Sequence, residues 1–276
     1  MARPLDKQYH YFVASLPELR LDDYKEPYRV KEFIGELNGL LCPCHRRLVD
    51  DVLSFFDNRN LIDVLFKQDF NPLHVRGRFT RKEMEAAVAG SPDESLPDYM
   101  YRFLEEYRAT GGWAGEDRRA CALRLEEYFY ERMARHENGF IRAYFRFDRA
   151  LRNIIAALDR RRTSGAPAGL VGQETDDDLV LYKLRTDAGP DFGLAGDLEF
   201  ITALIEAYED GDPTVIERTC DAARWTHIET LNAFRYFEVE VLLGFLLKLM
   251  ICERWLRLEA HHGQEALEKY LAAADA

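Results

Sequence analysis

The run EDRRACALRLEEYFYERMARHENGFIRAYFRFDRALRNIIAALDRRR, residues 116–162, decides the fold class. Its apolar residues recur three and four apart, the period of an amphipathic helix and not of a strand. Phe140, Ala143, Phe147, Ala150 and Ile154 form one stripe; Tyr144, Leu151, Ile155 and Leu158 form the adjacent one. Asn138-Gly139 is the one break, so the run reads as two long helices or one kinked helix. Asp148 falls at the edge of the apolar face. A carboxylate there needs a charged or hydrogen-bonding partner, so a structural ion pair is expected of it before general-base chemistry. Arg142, Arg146 and Arg149, at i, i+4 and i+7, share one face continued by Asn153. That face is either solvated and paired with Glu137 or Asp148, or a docking stripe for an acidic partner.

Outward from this run the pattern stays helical. Tyr9 to Pro17 is the one strand candidate, aromatic and β-branched and stopped by proline, and a short extended N-terminal segment is expected there. A helix is expected from Pro27 to Leu40, and another from Pro43, since proline suits the first helical turn. Asn71 to Phe79 reads as a loop. Thr80 with Glu83 makes a capping box, and that helix stops at Gly90-Ser91-Pro92. Pro97 starts another that ends near Gly111-Gly112. Residues 163–169, Thr-Ser-Gly-Ala-Pro-Ala-Gly, are rich in breaking residues. The chain is therefore expected to be one helical domain, 1–276, with a sub-division into 1–162 and 170–276 around that linker. Asp176, Asp177 and Asp178 suit a helix N-terminus. Helices are expected over Leu198–Tyr208, after Asp212-Pro213, and over Val239–Ala260. His261-His262-Gly263 is expected to end the last of these before a final short helix.

The 276 residues carry 37 Lys+Arg and 49 Asp+Glu, a net charge of −12. This argues against wrapping nucleic acid, which demands a basic face, and against a polybasic membrane anchor. The run 116–162 departs from it, with 12 Arg against 8 Asp+Glu. No apolar leader follows Met1. The most apolar run, Val239–Cys252, is too short to span a bilayer and contains Glu240 and Lys248. Direct membrane insertion is therefore not expected. Five scattered cysteines (42, 44, 121, 220 and 252) fit a reducing, cytoplasmic setting.

Cys42-Pro43-Cys44-His45 is the most metal-like stretch. A structural zinc site takes four ligands, usually as two Cys/His pairs. The second pair would have to come from His261-His262, whose adjacent side chains diverge on a helix. Two small buried thiols are expected there, with no metal or cofactor. Neither a G-x-S-x-G elbow, a C-x-x-C pair nor a G-x-x-x-x-G-K-[ST] loop occurs. Gly189 to Gly196 reads as a turn, since no lysine closes a phosphate loop. No catalytic residue is assigned. Asp148 and Glu240 are the carboxylates an enzyme reading would use, and a generic helical adaptor is the other rival.

Tyr144-Phe145-Arg146-Phe147-Asp148 and Tyr236-Phe237-Glu238-Val239-Glu240 resemble each other, and both lead into apolar helices ending near arginines. Such a repeat is worth seeking in any helical array. The stretch Tyr9 to Leu19 and the stretch Phe237 to Leu258 resemble the two ends of an uncharacterised bacterial family, domain of unknown function 2764, found beside V-type ATPase subunits. The repeated segments also resemble a pattern in the C/d socket subunit of V-type ATPases. There an aromatic-acidic entry leads into an apolar helix with Asn and Arg downstream. Asp148, Asn153 and Arg160 to Arg162 match it in the first copy. Glu240 and Arg254 match it in the second, where Phe245 replaces the Asn. The resemblance implies an all-α array of pseudo-repeated helix pairs. It also implies a non-catalytic socket between the central shaft and the membrane ring, cytoplasmic and peripheral at the inner membrane. Arg142, Arg146 and Arg149 are then the docking candidates, and Asp148, Glu240 and Arg254 the structural ion-pair candidates.

Overall fold

The structure, a computed structural model, describes residues 9–21, 28–69, 77–90, 96–110, 118–163, 169–172 and 178–274, without the side chains of residues 163 and 259–274. The expected features at residues 1–7, Pro27, residues 71–76, Ser91-Pro92, Gly111-Gly112, residues 164–168, Asp176 and Asp177 lie outside the described residues. The fold is all-α, as the periodicity implies, and no strand occurs among the described residues. Among them, no helix is long and apolar enough to cross a membrane. The chain divides into two compact units, residues 1–49 with 228–276, and residues 50–227.

The first unit holds α1 (His10–Ser15), α2 (Val30–Leu40), the start of α3 (Pro43–Leu65), the end of α10 (Pro213–Asn232) and α11 (Val239–Ala274). Its core sets Phe33 of α2 against Phe245 of α11, ring centroids 4.8 Å apart, with Phe12 stacked on Phe33. Leu242, Leu243, Leu246 and Leu249 complete the buried face of α11. The strand candidate or extended segment at Tyr9–Pro17 is instead helical over His10–Ser15, α1. Its N–H groups turn inward, Val13 N to Tyr9 O at 2.9 Å, and Ser15 Oγ donates to Phe12 O. A single aromatic stretch with no partner strand satisfies its backbone best as a helical turn. Extended backbone begins only at Leu16. The break expected at His261-His262-Gly263 is also absent, since α11 runs on to Ala274. One interior glycine costs a helix only about 1 kcal/mol, and strong helix formers follow it.

The second unit holds the rest of α3, then α4 (Arg81–Val88), α5 (Asp98–Ala109), α6 (Arg118–Ala134), α7 (Gly139–Thr163), α8 (Leu179–Thr186), α9 (Ile201–Asp210) and most of α10. The run 116–162 is two helices, broken where expected. Asn138 Oδ1 accepts from the N–H groups of Phe140 and Ile141 and so caps α7. The Thr80–Glu83 capping box opens α4. Asp178 caps α8 through Leu181 N, and Asp212 takes Thr214 N at the start of α10. Phe129 of α6 meets Phe145 of α7 edge-on at 5.1 Å and Tyr99 of α5 at 5.9 Å. Further along α7, Leu151, Ile154 and Leu158 pack with Leu194, Ile201, Leu204 and Cys220.

In the first unit, Gly244 lets α11 approach α10 closely. A Cβ there would collide with Asn232 Nδ2 and lie 3.0 Å from Ile228 Cγ2. Asn232 Nδ2 donates to Glu240 O, so it cannot retreat without losing that bond. Gly244→Ala is expected to lower stability by about 1–3 kcal/mol, as overpacking does, measured by urea denaturation. A gain in stability would show that the two helices part freely.

Candidate functional site: a buried polar layer and a thiol corner

The residues singled out on α7 divide by face. Asp148 is buried. Its Oδ1 accepts from Arg224 Nε of α10 at 2.9 Å and its Oδ2 from the Tyr130 hydroxyl of α6 at 2.8 Å. Arg224 also reaches Asp221 Oδ1 at 3.1 Å. Burial works against the guanidinium's charge, but Asp148 and then Asp221 overcome it and hold the Arg224 pKa well above its ordinary value. Burial and the Asp148 charge together push the Tyr130 phenol up. Every charge in this cluster thus has a partner, the condition under which buried charge is tolerated.

One turn on, Asn153 uses both ends of its amide on one residue. Its Nδ2 donates to Val171 O and its Oδ1 accepts from Val171 N, each at 2.8 Å. Arg152 pairs with Glu126 and reaches Gly169 O. Asn153 therefore pins the backbone at Val171 to α7.

The three docking candidates are not equivalent. Arg142 and Arg146 are exposed, whereas Arg149 is half-buried and bonded to Asp178 at 2.6 Å. Arg142 also donates to His136 O at 2.5 Å, closing the end of α6. Arg161 lies over the Phe192 ring and donates to Gly189 O and Pro190 O. In the Gly189–Gly196 segment, Asp187 takes Gly189 N and Asp191 takes Gly193 N and Ala195 N. Carboxylates occupy the N–H groups that a phosphate loop would present, which fits the turn reading.

Glu240 sits in the first turn of α11 with Arg235 at 3.6 Å. Arg254 lies over the Trp255 ring. Asp148 belongs to the second unit and Glu240 to the first, each beside its own arginine. The repeat enters its helices differently. Tyr144-Phe145 lies inside α7, but Tyr236-Phe237 precedes α11.

Sequence reasoning missed a polar group around α3. Asp51 pairs with Arg132 at 2.6 Å and His136 at 3.0 Å. Asp63 pairs with Arg118, beside a cavity of about 280 Å³ that Asn58, Leu125 and Glu126 also line. Asp57, fully buried, accepts from Phe79 N at 3.2 Å. Burial raises its carboxyl to about 7, against the pull of the Phe79 and Arg78 N–H groups and the Arg78 charge. The one signal in the chain was Asp51, Asp57 and Asp63 lying among the apolar positions of α3.

The Cys42–His45 stretch forms a corner of the first unit. Cys42 precedes α3, Pro43 opens it, and Cys44 and His45 lie in its first turn. The donor atoms of Cys42, Cys44 and His45 all lie within 4.8 Å of one another. The two sulfurs are 2.8 Å apart and both cysteines are free. The Tyr9 hydroxyl is 2.6 Å from His45 Nδ1. His45 is fully buried, and both thiols are half-buried. Burial opposes ionisation of Cys42, but the Cys44 thiol and the N–H groups of His45 and Cys44 outweigh it, and the Cys42 pKa falls. The bond to Cys42 pushes Cys44 up. The side chains of His261 and His262 lie outside the described residues.

The chain matches the family described as protein of unknown function (DUF2764) over residues 6–273, and it belongs to that family. No curated protein and no solved structure gives a significant match.

Asp57 sets a pH dependence. An unfolded aspartate titrates near 3.9, so between about pH 4 and 7 the folded chain holds a proton that the unfolded chain has lost. Stability therefore falls as pH rises through that window, by on the order of 1 kcal/mol per pH unit. Asp57→Asn is expected to remove this slope, measured by urea denaturation from pH 4 to 8. Parallel profiles for the two chains would overturn the assignment.

Proposed function

We propose that this member of the family is a non-catalytic subunit or accessory protein of a V-type ATPase or ATP synthase, joining the central shaft to the membrane ring. It is supported by the resemblance of both chain ends to proteins found beside V-type ATPase subunits, and of the α7 segment to the C/d socket subunit. The observation that carries it is the division of labour on α7. The inward carboxylate and amide, Asp148 and Asn153, are spent on holding neighbouring helices and chain. Arg142 and Arg146 are left on the solvent side. A rigid helix with a basic outer face suits a part that passes torque by contact. The partners are the shaft subunits and the cytoplasmic loops of the ring, and the acidic one among them meets Arg142 and Arg146. Arg149, already bound to Asp178, contributes to the scaffold. The protein works in the cytoplasm, at the inner membrane through its complex.

The test is co-purification with the V-type ATPase subunits of the same organism. Retention of a shaft or ring subunit is expected. Arg142→Glu with Arg146→Glu is expected to weaken that retention at least about tenfold, with circular dichroism checking that the variant, which loses the Arg142 bond to His136 O, still folds. Retention of neither subunit would sink the reading in favour of an adaptor for some other complex. Retention unaffected by the charge reversal would move the docking face off α7.

A further inference from the structure

We infer that Cys42, Cys44 and His45 form a binding site for a thiophilic metal ion of the zinc class, with Tyr9 as its positioning residue. The site is independent of the proposed ATPase role.

From the sequence, the obstacle was the missing second ligand pair. The fold changes its weight in two ways. The two thiols and the imidazole converge, with donor atoms within 4.8 Å of one another. A fourth polar group arrives from 36 residues away, since the Tyr9 hydroxyl bonds His45 Nδ1 at 2.6 Å. Tyr9 is itself fixed, because its N–H donates to Phe237 O at 2.6 Å and its ring is 4 % exposed. Outer partners of this kind set the orientation of a ligating histidine.

The donor chemistry selects the ion. Two sulfurs and one nitrogen favour a soft or borderline cation over magnesium or calcium, which take oxygen. Three protein ligands leave the fourth tetrahedral position of zinc for water or a partner's donor. Each thiol is half-buried, so an ion can enter, while the imidazole behind is fully enclosed. Two thiolates on one tetrahedral zinc lie about 3.8 Å apart, given Zn–S bonds of about 2.3 Å. Metal entry therefore moves the sulfurs apart by about 1 Å from their 2.8 Å separation. Binding displaces the thiol protons to solvent and changes no oxidation state.

The experiment uses the full chain, reduced and stripped with chelator, titrated with Zn²⁺ against a chromophoric competitor and with Co²⁺ as spectroscopic stand-in. One ion per chain is expected, and the cobalt form is expected to show thiolate charge-transfer bands and the intense visible bands of tetrahedral coordination. Cys42→Ser and Cys44→Ser should each weaken binding at least about 100-fold, beyond what loss of an outer partner costs. Tyr9→Phe should keep the stoichiometry and weaken binding about tenfold. Cys121→Ala, in the second unit, should leave binding unchanged, and circular dichroism checks that each variant folds. Three results would overturn the site: no binding by the reduced chain, binding indifferent to both serine variants, or a Cys42–Cys44 disulfide as the stable form in the presence of stoichiometric Zn²⁺.

Discussion

The second unit depends on one buried charge pair, Asp148 with Arg224. The carboxylate on α7 draws a guanidinium from α10 and a hydroxyl from α6 to one point, so three helices are fixed in register there. Around it the packing is apolar and aromatic, and such contacts are tolerant of sliding. Directional bonds to a buried charge are not, because every misplaced alternative strands that charge in a medium that cannot solvate it. The same logic recurs in gentler form at Asp51 with Arg132 and His136, and at Asn153 with the Val171 backbone. Helix faces bring the segments together, and these polar bonds decide which arrangement persists.

Much of this was legible in the chain. The three- and four-residue spacing over 116–162 foretold α6 and α7, and Asn138 foretold their break because its side chain can cap a helix. Thr80 with Glu83, Asp178 and Asp212 marked helix starts for the same local reason. Local patterns failed where tertiary context decided. Tyr9–Pro17 has the composition of a strand, yet with no partner strand to pair with it coils into α1. Gly263 has the composition of a stop, yet α11 passes through it. The site was half legible. The amphipathic edge position of Asp148 called for a partner, but nothing near it in sequence named Arg224, 76 residues away. Cys42, Cys44 and His45 were read as a thiol corner without Tyr9, because no spacing rule links Tyr9 to His45, 36 residues on. The buried acids of α3 went unread, since helical periodicity reports which face a residue occupies and not what waits opposite.

The charge distribution connects these findings. The chain is acidic as a whole, at −12, while α6 and α7 carry the arginine-rich run. Several of those arginines serve the interior: Arg132 for Asp51, Arg149 for Asp178, Arg152 for Glu126. Arg142 and Arg146 lie on the solvent side, as do Arg118, Arg119, Arg135 and Arg160 to Arg162. At the other unit, the thiol corner ties the N-terminal α1 region to the start of α3 through Tyr9 and His45.

The central claim is that Asp148 and Arg224 act as one unit in holding the helices. A double-mutant cycle measures it: Asp148→Asn, Arg224→Met and the double variant, compared by urea denaturation at neutral pH. The account predicts large single losses that do not add, with a coupling of about 2–3 kcal/mol, because each single change leaves the other group buried without its counterpart. Additive losses, with coupling below about 0.5 kcal/mol, would contradict it and leave the apolar packing alone to set the arrangement of α6, α7 and α10.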